Sequence, residues 1–122
     1  MFNLQILIAD DHPLFLRGIS DFLQQLGFMK LIMAKDGLEA LQKLQDHQPD
    51  IAILDIEMPY LTGIEVAQKA KQHRLPVKII LISYQRDSMI VNMAEELNIS
   101  GYLLKEDSLF EIEKCIHNLQ EG

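Results

Sequence analysis

Five short apolar runs alternate along the chain with longer stretches in which apolar residues recur every three or four positions. The runs cover residues 4–9, 31–34, 51–54, 77–82 and 101–104, are rich in Ile and Leu, and barely alternate with polar positions. Strands buried on both faces read this way, because neither face is left for water. The intervals have helical spacing. Phe15, Ile19, Phe22, Leu23 and Leu26 share one face of the first, with Pro13 in its opening turn and Gly27 as its stop. Leu38, Leu41 and Leu44 predict a second helix that closes at the Gln48-Pro49 step. Ile64, Ala67 and Ala70 predict a third, ending before Pro76, and Ile90, Met93, Ala94 and Leu97 a fourth. A fifth opens with Ser108 and Glu111 at capping-box spacing and buries Leu109, Ile112, Ile116 and Leu119. Met89 and Met93 are read as packing residues. Regular β–α alternation requires right-handed crossovers, and so predicts an α/β domain with a parallel sheet covered on both faces.

Residues just past parallel strands gather at one edge of the sheet, where open α/β folds hold ligands. Asp10 and Asp11 follow the first run, Asp55 the third, Ser83 the fourth and Lys105 the fifth. An Asp-Asp pair alone reads as a loop or a helix cap, and Lys105 alone as a surface lysine. Together they form a metal-assisted phosphoryl site. Crowded carboxylates repel, so a proton or a cation must join them. Asp10, Asp11 and Asp55 suit Mg²⁺, which takes one or two carboxylates, waters and a phosphoryl oxygen; Glu57 can add its backbone carbonyl. Asp55 is the best nucleophile, forming an aspartyl phosphate. Lys105 and the ion then stabilise the phosphoryl oxygens, and Ser83 donates a hydrogen bond to one of them.

Composition narrows the function further. At 122 residues, without repeats or an internal linker, the chain reads as one domain over 1–122. The net charge of −7 and the lack of a basic run argue against binding nucleic acid or a membrane surface. Cys115, the single cysteine, is expected as a packed, inert thiol on the fifth helix. The first residues resemble no signal peptide, and no apolar stretch approaches the roughly 20 residues of a membrane span, so the cytoplasm is the expected compartment.

The motifs LIADD ending at Asp11, ILDIEMP (53–59), LIS (81–83) and GYLLK (101–105) together resemble the receiver domain of two-component response regulators. That resemblance covers essentially the whole chain. It implies a flavodoxin-like (βα)5 fold with five parallel strands in the order 2-1-3-4-5, an order that general fold rules already associate with receivers. It implies Asp55 as phosphoacceptor, Asp10 and Asp11 as the Mg²⁺ pair, Ser83 and Lys105 as phosphate contacts, and Tyr102 as a switch aromatic. Ser83 would move toward the phosphoryl group, Tyr102 would turn inward, and the surface of the fourth helix, fifth strand and fifth helix would change. Partners implied are a sensor histidine kinase or phosphotransfer protein and a second copy in a phosphorylation-dependent homodimer. DDHPLFLRG (10–18) and LLKEDSL (103–109), with Lys-Glu at 105–106, are similar to NarL/LuxR-type regulators. Those usually carry a helix-turn-helix domain; here one would lie beyond Gly122, and DNA would be reached only through it. The resemblance gives His12 a helix-start position rather than a ligand role, since Mg²⁺ prefers oxygen. Glu57 and Gln85 occupy positions that tune phosphate lifetime, and the bulk of Tyr84 restricts access.

The expected chemistry is self-phosphorylation and slow self-dephosphorylation, not turnover of a separate metabolite. A phosphatase of the haloacid-dehalogenase kind also uses an Asp nucleophile, an acid two residues on, a Ser or Thr, a Lys and Mg²⁺. Its acidic pair comes last in the chain, whereas Asp10-Asp11 comes first. A phosphorylation-independent receiver is disfavoured by the complete residue set, though Tyr84 leaves it open. A flavodoxin would need a Ser/Thr/Gly-rich phosphate loop after the first strand, where this chain puts acids that repel phosphate.

Overall fold

A computed structural model describes residues 3–107 and 109–121. Along the chain, β1 (Gln5–Ala9), α1 (Pro13–Gln25), β2 (Lys30–Ala34), α2 (Gly37–His47) and β3 (Ile51–Asp55) are followed by α3 (Gly63–Gln72), β4 (Lys78–Ser83), α4 (Ser88–Glu96), β5 (Gly101–Leu104) and α5 (Leu109–Glu121). All four strand pairings are parallel, in the order β2-β1-β3-β4-β5. The expected flavodoxin-like architecture is therefore the observed one. No helix of the described residues is long and apolar enough to cross a membrane.

The uniform apolar runs are explained by a core on each face. Successive strand side chains point to opposite sides. Ile6 and Ile8 of β1 join Ile53, Ile80 and Ile82 under α1 and α5, through Ile19, Leu23, Ile112 and Ile116. Leu7 and Ala9 join Leu54 and Leu81 on the other face, under Leu44, Ala67 and Ala94 of α2, α3 and α4. The central strands β1, β3 and β4 are almost wholly buried, whereas at the edges β5 is half-buried and β2 mixes exposed, half-buried and buried positions.

Local chemistry sets the ends of the helices. Pro13 is the first residue of α1, where its missing N–H costs no hydrogen bond. Gly27 takes φ 103°, and the next N–H, from Phe28, returns 3.0 Å to the Leu23 carbonyl, closing α1 as the sequence implied. The Asp36 side chain accepts from Glu39 N–H at the start of α2. Thr62 and Glu65 form a complete capping box at α3. The cap expected from Ser108 lies outside the described residues.

Four expectations need adjustment. Asp55 and Ser83 end β3 and β4 rather than following them, because the ladder pairs Asp55 with Ile82 and Ser83 with Leu104. Both backbones are thereby pinned in the sheet. Leu38 is 53% exposed despite its helical spacing, and Met89 is 70% exposed, so it is not the packing methionine expected. The face of α2 that is fully buried runs instead through Gly37, Ala40 and Leu44.

Two glycines hold the loop from Ile56 to Thr62 against its neighbours. A Cβ on Gly37 would collide with the Leu61 backbone, and one on Gly63 would sit 2.5 Å from the Asp55 carbonyl oxygen. Gly37 N–H donates to the Pro59 carbonyl at 3.2 Å, and Gly63 N–H to the Ile56 carbonyl at 2.9 Å. The segment after Asp55 is thus clamped from both sides. Cys115 is half-buried, its Sγ beside Gly101, and burial, reinforced by the Glu111 charge, pushes its thiol pKa up. A raised thiol pKa means little thiolate at neutral pH, in keeping with a packed, unreactive cysteine.

Candidate functional site

The carboxyl ends of the strands converge because each following loop is tied to a neighbouring strand. Asp10 N–H donates to the Ala34 carbonyl at 3.1 Å, Ile56 N–H to the Ile82 carbonyl at 2.9 Å, and Lys105 N–H to the Ser83 carbonyl at 2.7 Å. These bonds carry Asp10, Asp55 and Lys105 to one point above the sheet.

Lys105 occupies the centre of that point. Its Nζ lies 3.0 Å from Asp10 Oδ2 and donates to Asp55 Oδ2 at 3.0 Å. The three side chains are at most 2% exposed. Two rings flank the ammonium, that of Tyr84 at 4.5 Å and that of Phe15 at 4.8 Å from centroid to Nζ. The remaining carboxylate oxygens are held by main chain: Asp55 Oδ1 accepts from Glu57 N–H at 3.1 Å, and Asp10 Oδ1 from His12 N–H at 2.8 Å. Asp10 Oδ2 is buried and accepts no hydrogen bond, so its contact with Lys105 is an ion pair without bonding geometry.

Electrostatics follow from this crowding. Burial, and then the Asp10 charge, raise the Asp55 pKa to about 6 from an ordinary 3.8, against the opposing pull of Lys105 and Glu57 N–H. Burial works against the Lys105 charge, but its close contacts with the Asp10 and Asp55 carboxylates prevail and raise its pKa. One ammonium serves a group of three acids. Ligand atoms of Asp10, Asp11, His12 and Asp55 all lie within 4.8 Å of one another. An orphaned buried oxygen among surplus carboxylates fits a hard divalent cation such as Mg²⁺.

The other expected residues lie beside this cluster. Ser83 Oγ accepts from Gln85 N–H at 3.3 Å and reaches Glu57 Oε1 at 3.5 Å, rather than touching Asp55. Glu57 meets the cluster through its N–H, while its carboxylate turns to Ser83. Tyr102 is half-buried, donates its hydroxyl to the Gln85 carbonyl at 3.1 Å and lies under the Arg86 guanidinium at 5.7 Å. A cavity of about 530 Å³ runs from Ser83 and Glu57 to Tyr102, past Gln85 and Ile90. Ser83 and Tyr102 thus share one groove and one loop.

His12 stands at the start of α1, as expected, without a side-chain capping bond, and its ring enters the cluster instead. Nδ1 lies 3.1 Å from Asp10 Oδ1 and 3.2 Å from Asp11 Oδ1. The sequence set a ligand role for His12 aside in favour of a helix start, and gave no sign of the aromatic walls around Lys105.

The sequence profile of the response regulator receiver domain matches residues 6–117. The chain is 34% identical over 121 residues to the "Probable transcriptional regulatory protein NarL" of Mycobacterium tuberculosis, covering 98% of this chain and 56% of that protein. It is 32% identical over 120 residues to the "Transcriptional regulatory protein LnrK" of Bacillus subtilis, covering 98% and 54%. The chain therefore spans about half the length of these curated relatives. Among solved structures, the signal receiver domain of NarL from Mycobacterium tuberculosis superposes with a TM-score of 0.89 at 33% identity, covering 98% of each chain. A LuxR-family DNA-binding response regulator from Staphylococcus aureus superposes with a TM-score of 0.89 at 26% identity, covering 94% of this chain and 97% of that one.

Proposed function

This chain belongs to the response regulator receiver domain family, in its NarL/LuxR branch, and from that premise we propose that Asp55 accepts a phosphoryl group from a histidine-kinase or phosphotransfer partner. The observation that carries the reading is the buried Asp10–Lys105–Asp55 triad, in which Asp10 Oδ2 keeps an unused lone pair. Asp55 is held for attack from both sides, by Glu57 N–H and by Lys105. A carboxylate oxygen attacks phosphorus; the bond from phosphorus to the donor's leaving atom breaks, and its electron pair departs with the donor. Lys105 keeps a cation beside the incoming phosphoryl oxygens without further rearrangement. Asp10, Asp11, Asp55 and the Glu57 carbonyl would hold Mg²⁺, which supplies charge neutralisation at the transferring group. Phe15 and Tyr84 shield the ammonium from water, which strengthens its action. The domain catalyses its own phosphorylation and slow dephosphorylation and turns over no separate metabolite.

The deciding experiment is intact-mass spectrometry after incubation with acetyl phosphate. Wild type gains one phosphoryl group with Mg²⁺ and none with EDTA, and Asp55→Asn gains none. A wild type that gains nothing under either condition would reject phosphoacceptance and favour a phosphorylation-independent role.

Signal output follows from the shared groove. A phosphoryl group adds up to about two charges and three acceptor oxygens. Ser83 leaves Glu57 and Gln85 for a phosphoryl oxygen, the loop carrying the Gln85 carbonyl shifts, and Tyr102 loses its partner and turns inward. Phosphorylation thereby shifts a pre-existing equilibrium at α4, β5 and α5. The change drives homodimerisation and, through a DNA-binding domain outside this chain, transcription regulation in the cytoplasm. Tyr102→Ala should phosphorylate at the wild-type rate yet lose phosphorylation-dependent dimerisation in sedimentation velocity. Unchanged dimerisation would remove Tyr102 from the switch.

A further inference from the structure

His12 Nδ1 faces incompatible neighbours. Asp10 Oδ1 at 3.1 Å and Asp11 Oδ1 at 3.2 Å call for a proton on this nitrogen, whereas Lys105 Nζ at 3.3 Å calls for a lone pair. A neutral ring satisfies one side only. A protonated ring sets a second cation against Lys105. A divalent ion removes the conflict with the carboxylates, because it accepts the Nδ1 lone pair and both oxygens together.

The spacing agrees. Neighbouring ligands of an octahedral ion with bonds of about 2.1 Å stand about 3.0 Å apart. Nδ1 has nearly that separation from one oxygen of each adjacent carboxylate. The wider limit of 4.8 Å, which includes Asp55, exceeds only modestly the roughly 4.2 Å between opposite ligands of such an ion. Within the cluster, buried Asp10 Oδ2 accepts no hydrogen bond and has the Lys105 ammonium beside it at 3.0 Å. The His12 ring is also steadied edge-on against Tyr84, at 5.8 Å and 88°.

We propose that His12 Nδ1 is a direct ligand of the divalent ion in this site, tilting its preference from Mg²⁺ toward first-row transition ions that accept imidazole. The proposal rests on the metal-dependent reading of the same site. Oxygen ligands alone suit Mg²⁺, and each nitrogen ligand favours the borderline ions.

Mn²⁺ is a suitable probe, because electron spin-echo envelope modulation detects a coordinated imidazole nitrogen without any reference to phosphorylation. The full 122-residue chain with one equivalent of Mn²⁺ should show ¹⁴N modulation, and excess Mg²⁺ should release the ion. In His12→Gln the modulation should vanish and Mn²⁺ affinity should fall at least about tenfold, while Mg²⁺ affinity changes less. Mn²⁺ that binds, yields to Mg²⁺ and shows no ¹⁴N modulation would overturn the ligand role and leave the carboxylate site intact. Modulation that survives in His12→Gln would come from another histidine and would equally overturn it. No Mg²⁺-displaceable Mn²⁺ at all would bring down this proposal and the metal-dependent reading together.

Discussion

In metal-free buffer at pH 8, Asp55→Asn should be more stable than wild type by about 2 kcal/mol, measured as the shift in urea unfolding. The reason is that burial and the Asp10 charge raise the Asp55 pKa from 3.8 to about 6. A raised acid means that the native state holds a proton that the unfolded chain has already released. Stability from this group is therefore highest below pH 3.8, falls between there and about 6, and stays low above. Two units correspond to about 3 kcal/mol. Asparagine removes that cost, which is already net of the attraction of Lys105 and Glu57 N–H, but one of its two ends must face an unfavourable partner, hence the smaller value. The gap should close as pH falls through 6 toward 4. Lys105 does not contribute to this slope. Its pKa is raised above 10.5, so its share of stability is lost only at higher pH. Adding Mg²⁺ should then stabilise wild type far more than the variant, by mass action on the folded state. A variant less stable than wild type at pH 8 without metal would mean that the attraction of Lys105 exceeds burial and repulsion combined.

This frustration was visible in the sequence in outline. The acids and the lysine stand beside apolar runs, and parallel strands must bring such residues to one edge, so the cluster was legible before any coordinates. Strand order was not. β–α alternation is compatible with several orders, and 2-1-3-4-5 came from the motifs that resemble receivers. The reach of β3 and β4 was short by one residue, because hydrogen bonding continues to Asp55 and Ser83 after hydrophobicity stops. The aromatic walls were illegible for a different reason. Phe15, Tyr84 and Lys105 come from three distant segments and meet only after the sheet has formed. His12 was legible as a helix start, since Pro13 follows it, but the direction of its ring depends on a side-chain rotation that no sequence pattern encodes. Leu38 shows the opposite failure: helical spacing marks a face, and whether anything covers its end depends on where the neighbouring elements stop.

Lys105→Met tests the same balance from the other side. Methionine keeps much of the apolar stem between Phe15 and Tyr84 and deletes only the charge. Asp10 and Asp55 would then be buried together without a cation, where removing one partner of a buried ion pair costs about 3–5 kcal/mol. That loss is expected at pH 8 in EDTA. It should shrink on acidification, since either carboxyl can take up a proton. Millimolar Mg²⁺ should recover most of it, because the ion replaces the missing charge and no longer competes with an ammonium 3.0 Å from two carboxylate oxygens. Isothermal titration should accordingly show tighter Mg²⁺ binding in Lys105→Met than in wild type, even though phosphorylation by acetyl phosphate falls at least about a hundredfold for want of the fixed cation. In the double variant with Asp55→Asn the two stability changes should not add, since each residue's cost runs through the other. A metal-insensitive loss in Lys105→Met would assign the destabilisation to the packing of the lysine stem and exclude charge balance as what holds the site together.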